Sequence, residues 1–320
     1  MSVCHPGAEG FPTSEVREDR DCRRQALPKL MFTRQAGNDA RTMSTADHSR
    51  TNATNDTSLT TGDESHTPVA VVVGAGRGIG RAVALRLADE GYAVVAAARS
   101  SDELDVLAAE FAAAAHAIDC HVLNIAEHAE VGDFIRTVVA SHARIDVLVN
   151  SAGISYVAPV ALADPERAQA VLDVNLTGAF LISRAVVRVM MRQHHGRIVH
   201  IGSISADIGA AYNAIYAASK AGVAGLVRSL ALEVASLGIT VNGVQPGTVH
   251  TELFEQTHGA RAKIKGISLE EQVAVMESDN PQQRLVTPED IAGAVAFLVG
   301  PDAASVNGQM LSVDGGRSIA

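Results

Sequence analysis

Tyr216 and Lys220 stand four residues apart in the stretch Tyr216-Ala217-Ala218-Ser219-Lys220, and their types suit proton transfer. On a helix that spacing places both on one face. A free phenol titrates near ~10 and is a poor acid–base group at neutral pH. An adjacent ammonium favours the phenolate and lowers that value. Upstream, the run GRIVHIGS over 196–203 predicts a strand ending at Ser203, whose hydroxyl can hold a substrate oxygen against the phenol. Together these groups can pass a proton to or from an alcohol oxygen. A bare Tyr-x-x-x-Lys is more often a surface helix pair, so the weight falls on what precedes it.

What precedes it is a parallel strand–helix–strand unit. Val69 to Val73 reads VAVVV, Gly74 to Gly80 reads GAGRGIG, a helical pattern follows to Gly91, and AVVAAA fills 93–98. Short all-apolar runs of this kind predict buried parallel strands. The glycines fit G-x-x-x-G-x-G (Gly74, Gly78, Gly80), and Gly76 adds a second spacing. Such a turn lets backbone N–H groups and a helix N-terminus meet a pyrophosphate, with Ile79 at the same turn. An ATP-type loop is excluded, because no Gly-Lys-Ser/Thr follows. A site for NAD usually carries Asp or Glu at the end of the second strand. Here Ala98 occupies that place, followed by Arg99 and Ser100. A guanidinium without a carboxylate favours a 2′-phosphate, so NADP(H) is expected over NAD(H), with Arg77 as the second jaw.

Further along, IDVLV over 145–149 ends in Asn150-Ser151-Ala152-Gly153, a turn expected beside the cofactor at the carboxyl end of a strand. Residues 168–193 have helical spacing with Asn175 inside. Alone, that amide reads as solvated or locally satisfied.

The 320 residues carry 26 basic and 36 acidic side chains, a net charge of −10, which argues against nonspecific nucleic-acid binding. No window approaches 18 uninterrupted strongly apolar residues, so no membrane span is expected. Cys4, Cys22 and Cys120 have neither metal-ligand nor disulfide spacing, which points to a reduced, cytoplasmic setting and no metal. Residues 1–66 are poor in aliphatics, and twelve of the 26 residues in 42–67 are Ser or Thr. That stretch is expected to be a disordered extension, with Met43 as a candidate translation start, and 68–320 to be one folded domain.

The motifs VVGAGRGIG, NSAG, VNLTGAF, IVHIGS, YAASK, QPGTVHT and NGQMLSVDGG occur in one order over 68–320. In that order the chain resembles the short-chain dehydrogenase/reductase family, and within it the single-domain branch that includes 3-oxoacyl-thioester reductases. The resemblance implies an α/β fold, a doubly wound, Rossmann-like, seven-stranded parallel sheet, and a homotetramer or dimer paired through 168–193 and 216–237. It implies an NADP(H)-dependent oxidoreductase reducing a ketone or oxidising a secondary alcohol. Tyr216 would be the general acid or base, Lys220 would lower its pKa and hold the nicotinamide ribose, Ser203 would orient the substrate, and Asn175 would serve a proton relay. Asn124 and Ile125 would lie by the adenine. Asn150, Ala152 and Gly153 would shape the cofactor pocket, and Pro246, Gly247, Val249 and Thr251 would meet the nicotinamide end.

Alternatives are an NAD-dependent alcohol or sugar dehydrogenase of the same family and a catalytically silent cofactor-binding sensor. His194 and Leu237 stand where carrier-protein reductases of this family present arginines, so acyl carrier protein is a doubtful partner. The segment between Thr251 and Asn280 resembles a substrate lid. Its Arg261, Lys263 and Lys265 could meet an acidic substrate, but the nearby glutamates favour a solvated lid helix. Tyr156, Tyr212 and Phe254 are candidate pocket aromatics.

Overall fold

A computed structural model describes residues 66–320. The expectations for a disordered extension over 1–66 and for a start at Met43 lie, but for His66, outside the described residues. Seven strands form one parallel sheet: β1 (Val69–Val73), β2 (Ala93–Ala98), β3 (Ile118–Val122), β4 (Val147–Asn150), β5 (Gly196–Ile201), β6 (Ile239–Pro246) and β7 (Met310–Val313). Their order is β3-β2-β1-β4-β5-β6-β7, the expected doubly wound arrangement. The order reverses between β1 and β4, and a crevice opens beyond their carboxyl ends. Val73 is in register with both Ala97 and Asn150, so the glycine turn and the Asn150–Gly153 turn leave the sheet at one level.

The helices are α1 (Gly78–Asp89), α2 (Ser101–Ala113), α3 (His128–His142), α4 (Pro165–Leu172), α5 (Gly178–Gln193), α6 (Ser205–Ile208), α7 (Ala214–Val234), α8 (Glu252–Lys265), α9 (Leu269–Ser278) and α10 (Pro288–Val299). Successive strand side chains face opposite ways. Ala70 and Val72 therefore pack in one core with Leu87, Phe111 and Ile291 of α1, α2 and α10. Val71, with Leu148 and Ile198, packs in the other core with Val138, Ile182 and Val227 of α3, α5 and α7. Burial on both faces explains why β1 is apolar at every position.

A π-helical turn, Asp173–Thr177, joins α4 to α5 and makes Pro165–Gln193 one helix. Among the described residues this helix is long and apolar enough to cross a membrane by length and composition, with a mean hydropathy of 1.5, although no such span was expected. Its apolar side is occupied instead by the sheet: Val171, Val174, Ile182, Val186 and Met190 are buried, while Arg167, Arg184, Arg188 and Arg192 face outward.

Candidate active site

The first half of the site is made of backbone. Gly74 has φ +80°, and a Cβ there would lie 2.6 Å from the Ala152 nitrogen. A Cβ on Gly80 would lie 1.9 Å from the Gly74 carbonyl oxygen, so α1 starts directly against the end of β1. The residue before α1, Arg77, is extended and makes no side-chain cap, and the first turn holds no acid. Its N–H groups and dipole end thus remain available to an anion. Gly74, Gly76, Arg77, Gly78, Ile79, Arg99, Ser100, Ile125 and Ala152 line this cleft. Close approach where a side chain would collide is the geometry a pyrophosphate needs.

At the cleft's far end Arg99 is exposed, and Arg77 Nη1 lies 3.4 Å from Glu103 Oε1. The Ser100 hydroxyl caps α2 by accepting from the Glu103 N–H at 3.2 Å. Leu123 and Ile125 line the cleft, whereas the Asn124 side-chain oxygen accepts from the Ala126 N–H at 3.3 Å. Asn150 is buried beneath the turn, where its Oδ1 accepts from the Ala152 N–H at 3.2 Å.

The second half is made of side chains around a cavity of about 390 Å³. Ser203, Tyr216, Lys220, Pro246, Gly247, Val249 and Thr251 line it, and Ile79, Gly153 and Thr251 line both halves. Tyr216 and Lys220 sit in the first turns of α7, and Ser203 follows β5 directly. The Ser203 hydroxyl acts on the Tyr216 phenol and lowers its pKa. Its Oγ also accepts from the Ser205 N–H at 3.1 Å.

Burial pushes the Tyr216 phenol up, opposed by the Ser203 hydroxyl and the Arg261 charge. Lys220 lies 5.7 Å from the ring centroid, and its Nζ donates to the Ile201 carbonyl at 2.8 Å. Burial holds its ammonium to about 8.

Asn175 lies in the π turn, 1% exposed. Its Oδ1 accepts from the Ile154 N–H at 2.8 Å, and its Nδ2 donates to the Ile154 carbonyl and to Ser219 Oγ, both at 3.0 Å. A Cβ on Gly153 would lie 3.4 Å from both Asn175 Oδ1 and Lys220 Nζ, so both lie close on that side of the glycine.

Sequence reasoning missed three groups. Ser219 joins Asn175 to the Tyr216 carbonyl, donating to the latter at 2.7 Å. His200, inside β5, donates from Nε2 to Ser183 Oγ at 3.0 Å and accepts at Nδ1 from Asn150 Nδ2 at 3.4 Å. His258, on α8, lines the same cavity as Tyr216. The lid also departs from the solvated reading. Lys263 is exposed and the Lys265 amine donates to Gln272 Oε1 at 3.0 Å, but Arg261 turns inward against the cavity. Tyr212 and Phe254 line the cavity as expected. Tyr156 does not: its hydroxyl accepts from the Asp164 N–H at 2.8 Å and Arg167 stacks on its ring.

Residues 68–262 match the short chain dehydrogenase family. The chain is 40% identical over 250 residues to the 3-oxoacyl-[acyl-carrier-protein] reductase of Synechocystis sp., covering 78% of this chain and 96% of that one. Among solved structures it is similar to an actinorhodin polyketide ketoreductase with NADPH, at a TM-score of 0.77 and 36% identity, covering 79% of this chain and 98% of that one. It is also similar to a gluconate 5-dehydrogenase from Burkholderia cenocepacia in complex with NADP and tartrate, at a TM-score of 0.73 and 34% identity, covering 80% and 96% of the two chains.

Proposed function

The chain belongs to the short chain dehydrogenase family and is an oxidoreductase acting on CH–OH or keto groups; from that premise we propose that it is an NADP(H)-dependent reductase of a ketone, with Tyr216 as the proton donor. The observation that carries this reading is the Ser203–Tyr216 pair at the floor of a cavity that opens, through Ile79, Gly153 and Thr251, onto the glycine-built cleft.

When bound, the dinucleotide supplies or accepts the hydride. The open N–H groups at the start of α1 would hold its pyrophosphate, and Arg77, Arg99 and Ser100 would receive a 2′-phosphate. The similar ketoreductase with NADPH and dehydrogenase with NADP support that preference. Ser203 and Tyr216 grip the carbonyl oxygen together. As charge develops there, the phenol gives up its proton and C=O becomes CH–OH. Burial favours the protonated phenol, the form that donates in reduction. Asn175 holds the turn after Gly153 through both backbone groups of Ile154, and Lys220 supplies positive charge beside it.

Self-association through α5 and α7, as a tetramer or dimer, is supported by Phe180 and Leu232, 51% and 84% exposed on those helices. His194 and Leu237 offer one ring and one aliphatic chain to an acidic acyl carrier protein, so a small-molecule ketone is the proposed substrate form. A cytoplasmic setting is part of the same reading. The likeness to the gluconate 5-dehydrogenase supports a second reading, a sugar-acid dehydrogenase of the same chemistry.

The test is a ketone panel with NADPH and with NADH, followed by loss of dihydronicotinamide absorbance. Tyr216→Phe should lower turnover by roughly 10²–10⁴-fold while NADPH still binds. Tight NADPH binding with no turnover of any ketone would leave the sensor reading standing instead.

A further inference from the structure

Where α8 passes over the cavity, two of its polar side chains lack partners that burial demands. Arg261 donates from Nη2 to the Ala211 carbonyl at 3.3 Å, yet its buried Nε bonds nothing. No carboxylate among the described residues acts on its charge; the ionisable group that does is the Tyr216 phenol. One turn earlier, His258 is 8% exposed and its Nδ1 also bonds nothing. Residues three apart share a helix face, and both line the cavity that holds Ser203 and Tyr216.

Other cations lining that cavity are provided for. Arg317 lies 3.6 Å from Asp279, and Lys265 is held by Gln272. A latch from Arg261 to Ala211 would account for one N–H, but for neither Nε nor His258. A guanidinium whose Nε is buried with a free N–H is costly unless an acceptor completes it. The planar fork of Arg matches the two oxygens of a carboxylate.

We propose that Arg261 and His258 form a subsite for a carboxylate on the substrate, so that the preferred ketone is an oxo acid rather than a neutral ketone or a thioester. The proposal rests on the reductase reading for the position of the carbonyl, at Ser203 and Tyr216. The lid then does more than cover the cavity: docking of the acid supplies the counter-ion that α8 lacks and draws the lid onto the reacting end. Burial and the charges of Arg261 and Lys265 hold His258 to about 4, so at neutral pH it is an uncharged ring. It can give one N–H to the anion.

Two measurements test this. In the first, pyruvate, 3-oxobutanoate and 4-oxopentanoate are titrated calorimetrically into protein loaded with NADP⁺, where reduction cannot proceed. In the second, each acid and its ethyl ester are compared as substrates with NADPH. At least one acid should bind and exceed its ester in kcat/KM by about tenfold or more, roughly the selectivity of one charged hydrogen bond. Arg261→Met should cut the acid-to-ester ratio by a similar factor, through the KM for the acid, and should weaken calorimetric binding in step. Arg261→Lys should restore part of both. Retained NADPH binding in each variant reports that the fold is intact. Esters reduced as well as acids, with a ratio unmoved by Arg261→Met, would overturn the subsite and leave the reductase reading standing. Acid binding that depends on Arg261, without turnover of any compound, would support the subsite and remove the reductase reading.

Discussion

His200, beneath the carboxyl end of the sheet, and His258, in the lid, are both pushed by burial to about 4. Their company differs. His200 has a partner at each nitrogen, Ser183 and Asn150, within a strand locked on both sides by β4 and β6. His258 has no partner at Nδ1 and stacks on Phe254 of its own helix, ring centroids 4.5 Å apart. The floor of the site is therefore complete as folded, whereas the lid carries polar groups that await something. A buried polar network that is satisfied rigidifies; one left open marks a place where a ligand or a movement finishes the structure.

The sharpest way to break that contrast is to add one methyl group to the floor. Gly80→Ala puts a carbon 1.9 Å from the Gly74 carbonyl oxygen, a backbone atom that cannot swing aside. The substitution should cost roughly 3 kcal/mol or more, the upper end for overpacking, and should abolish dinucleotide binding. Thermal denaturation and NADPH fluorescence titration would read both. A variant that melts and binds as the parent does would show that the turn can give.

Acid stability sharpens the comparison next. An unfolded His takes a proton near ~6.5, but folded His200 does so only near about 4. Between those values the unfolded chain binds more protons, so stability falls as pH drops through that window. The loss from one such group is on the order of 3 kcal/mol. His200→Gln should flatten the fall, measured as the difference in unfolding free energy between about pH 7 and pH 5. His258, held to about 4 as well, adds a slope of the same sign. An acid limb of the same depth in His200→Gln would mean that the floor histidine is not held neutral.

The outer end of the dinucleotide cleft stands between the two extremes, since there recognition passes from backbone to side chains. Arg99 is exposed, and Arg77 is engaged with Glu103. Arg99→Asp should weaken NADPH more than NADH by roughly 1–3 kcal/mol, the scale of a charged hydrogen bond. Competitive titration of the two nucleotides gives the difference directly. Equal losses would place phosphate recognition elsewhere.

The same division explains what was legible in the sequence. The glycine turn, the Asn150–Gly153 turn and the strands that carry them are dictated by backbone sterics, and sterics leave a spacing in the sequence. Tyr216, Lys220 and Ser203 were readable because one helix turn and one strand end fix their separation. The setting of Tyr216 was not: spacing reports that an amine is near but not how far water is excluded. His200 was invisible because a strand buried on both faces has no polar side to betray an exception. Arg261 was one charge among many in a lid helix. Its inward turn depends on the 210–213 loop, far away in sequence.

The smallest expected effect tests the lid half of the contrast and carries the opposite sign. Gly259 lies in the middle of α8, and a Cβ there would meet no atom within 4 Å. Its backbone is helical, so Ala fits without strain. Removing the glycine's extra freedom in the unfolded chain should then stabilise the protein by about 0.5–1 kcal/mol. A modest rise in melting temperature, with NADPH affinity unchanged, is the expected result. The same Gly→Ala change would thus be ruinous in the floor and helpful in the lid, for the single reason that one site is closed by backbone and the other faces open space. A fall in stability instead would mean that α8 is packed against a further surface at that point, such as a second subunit. The lid would then be as tightly set as the floor beneath it.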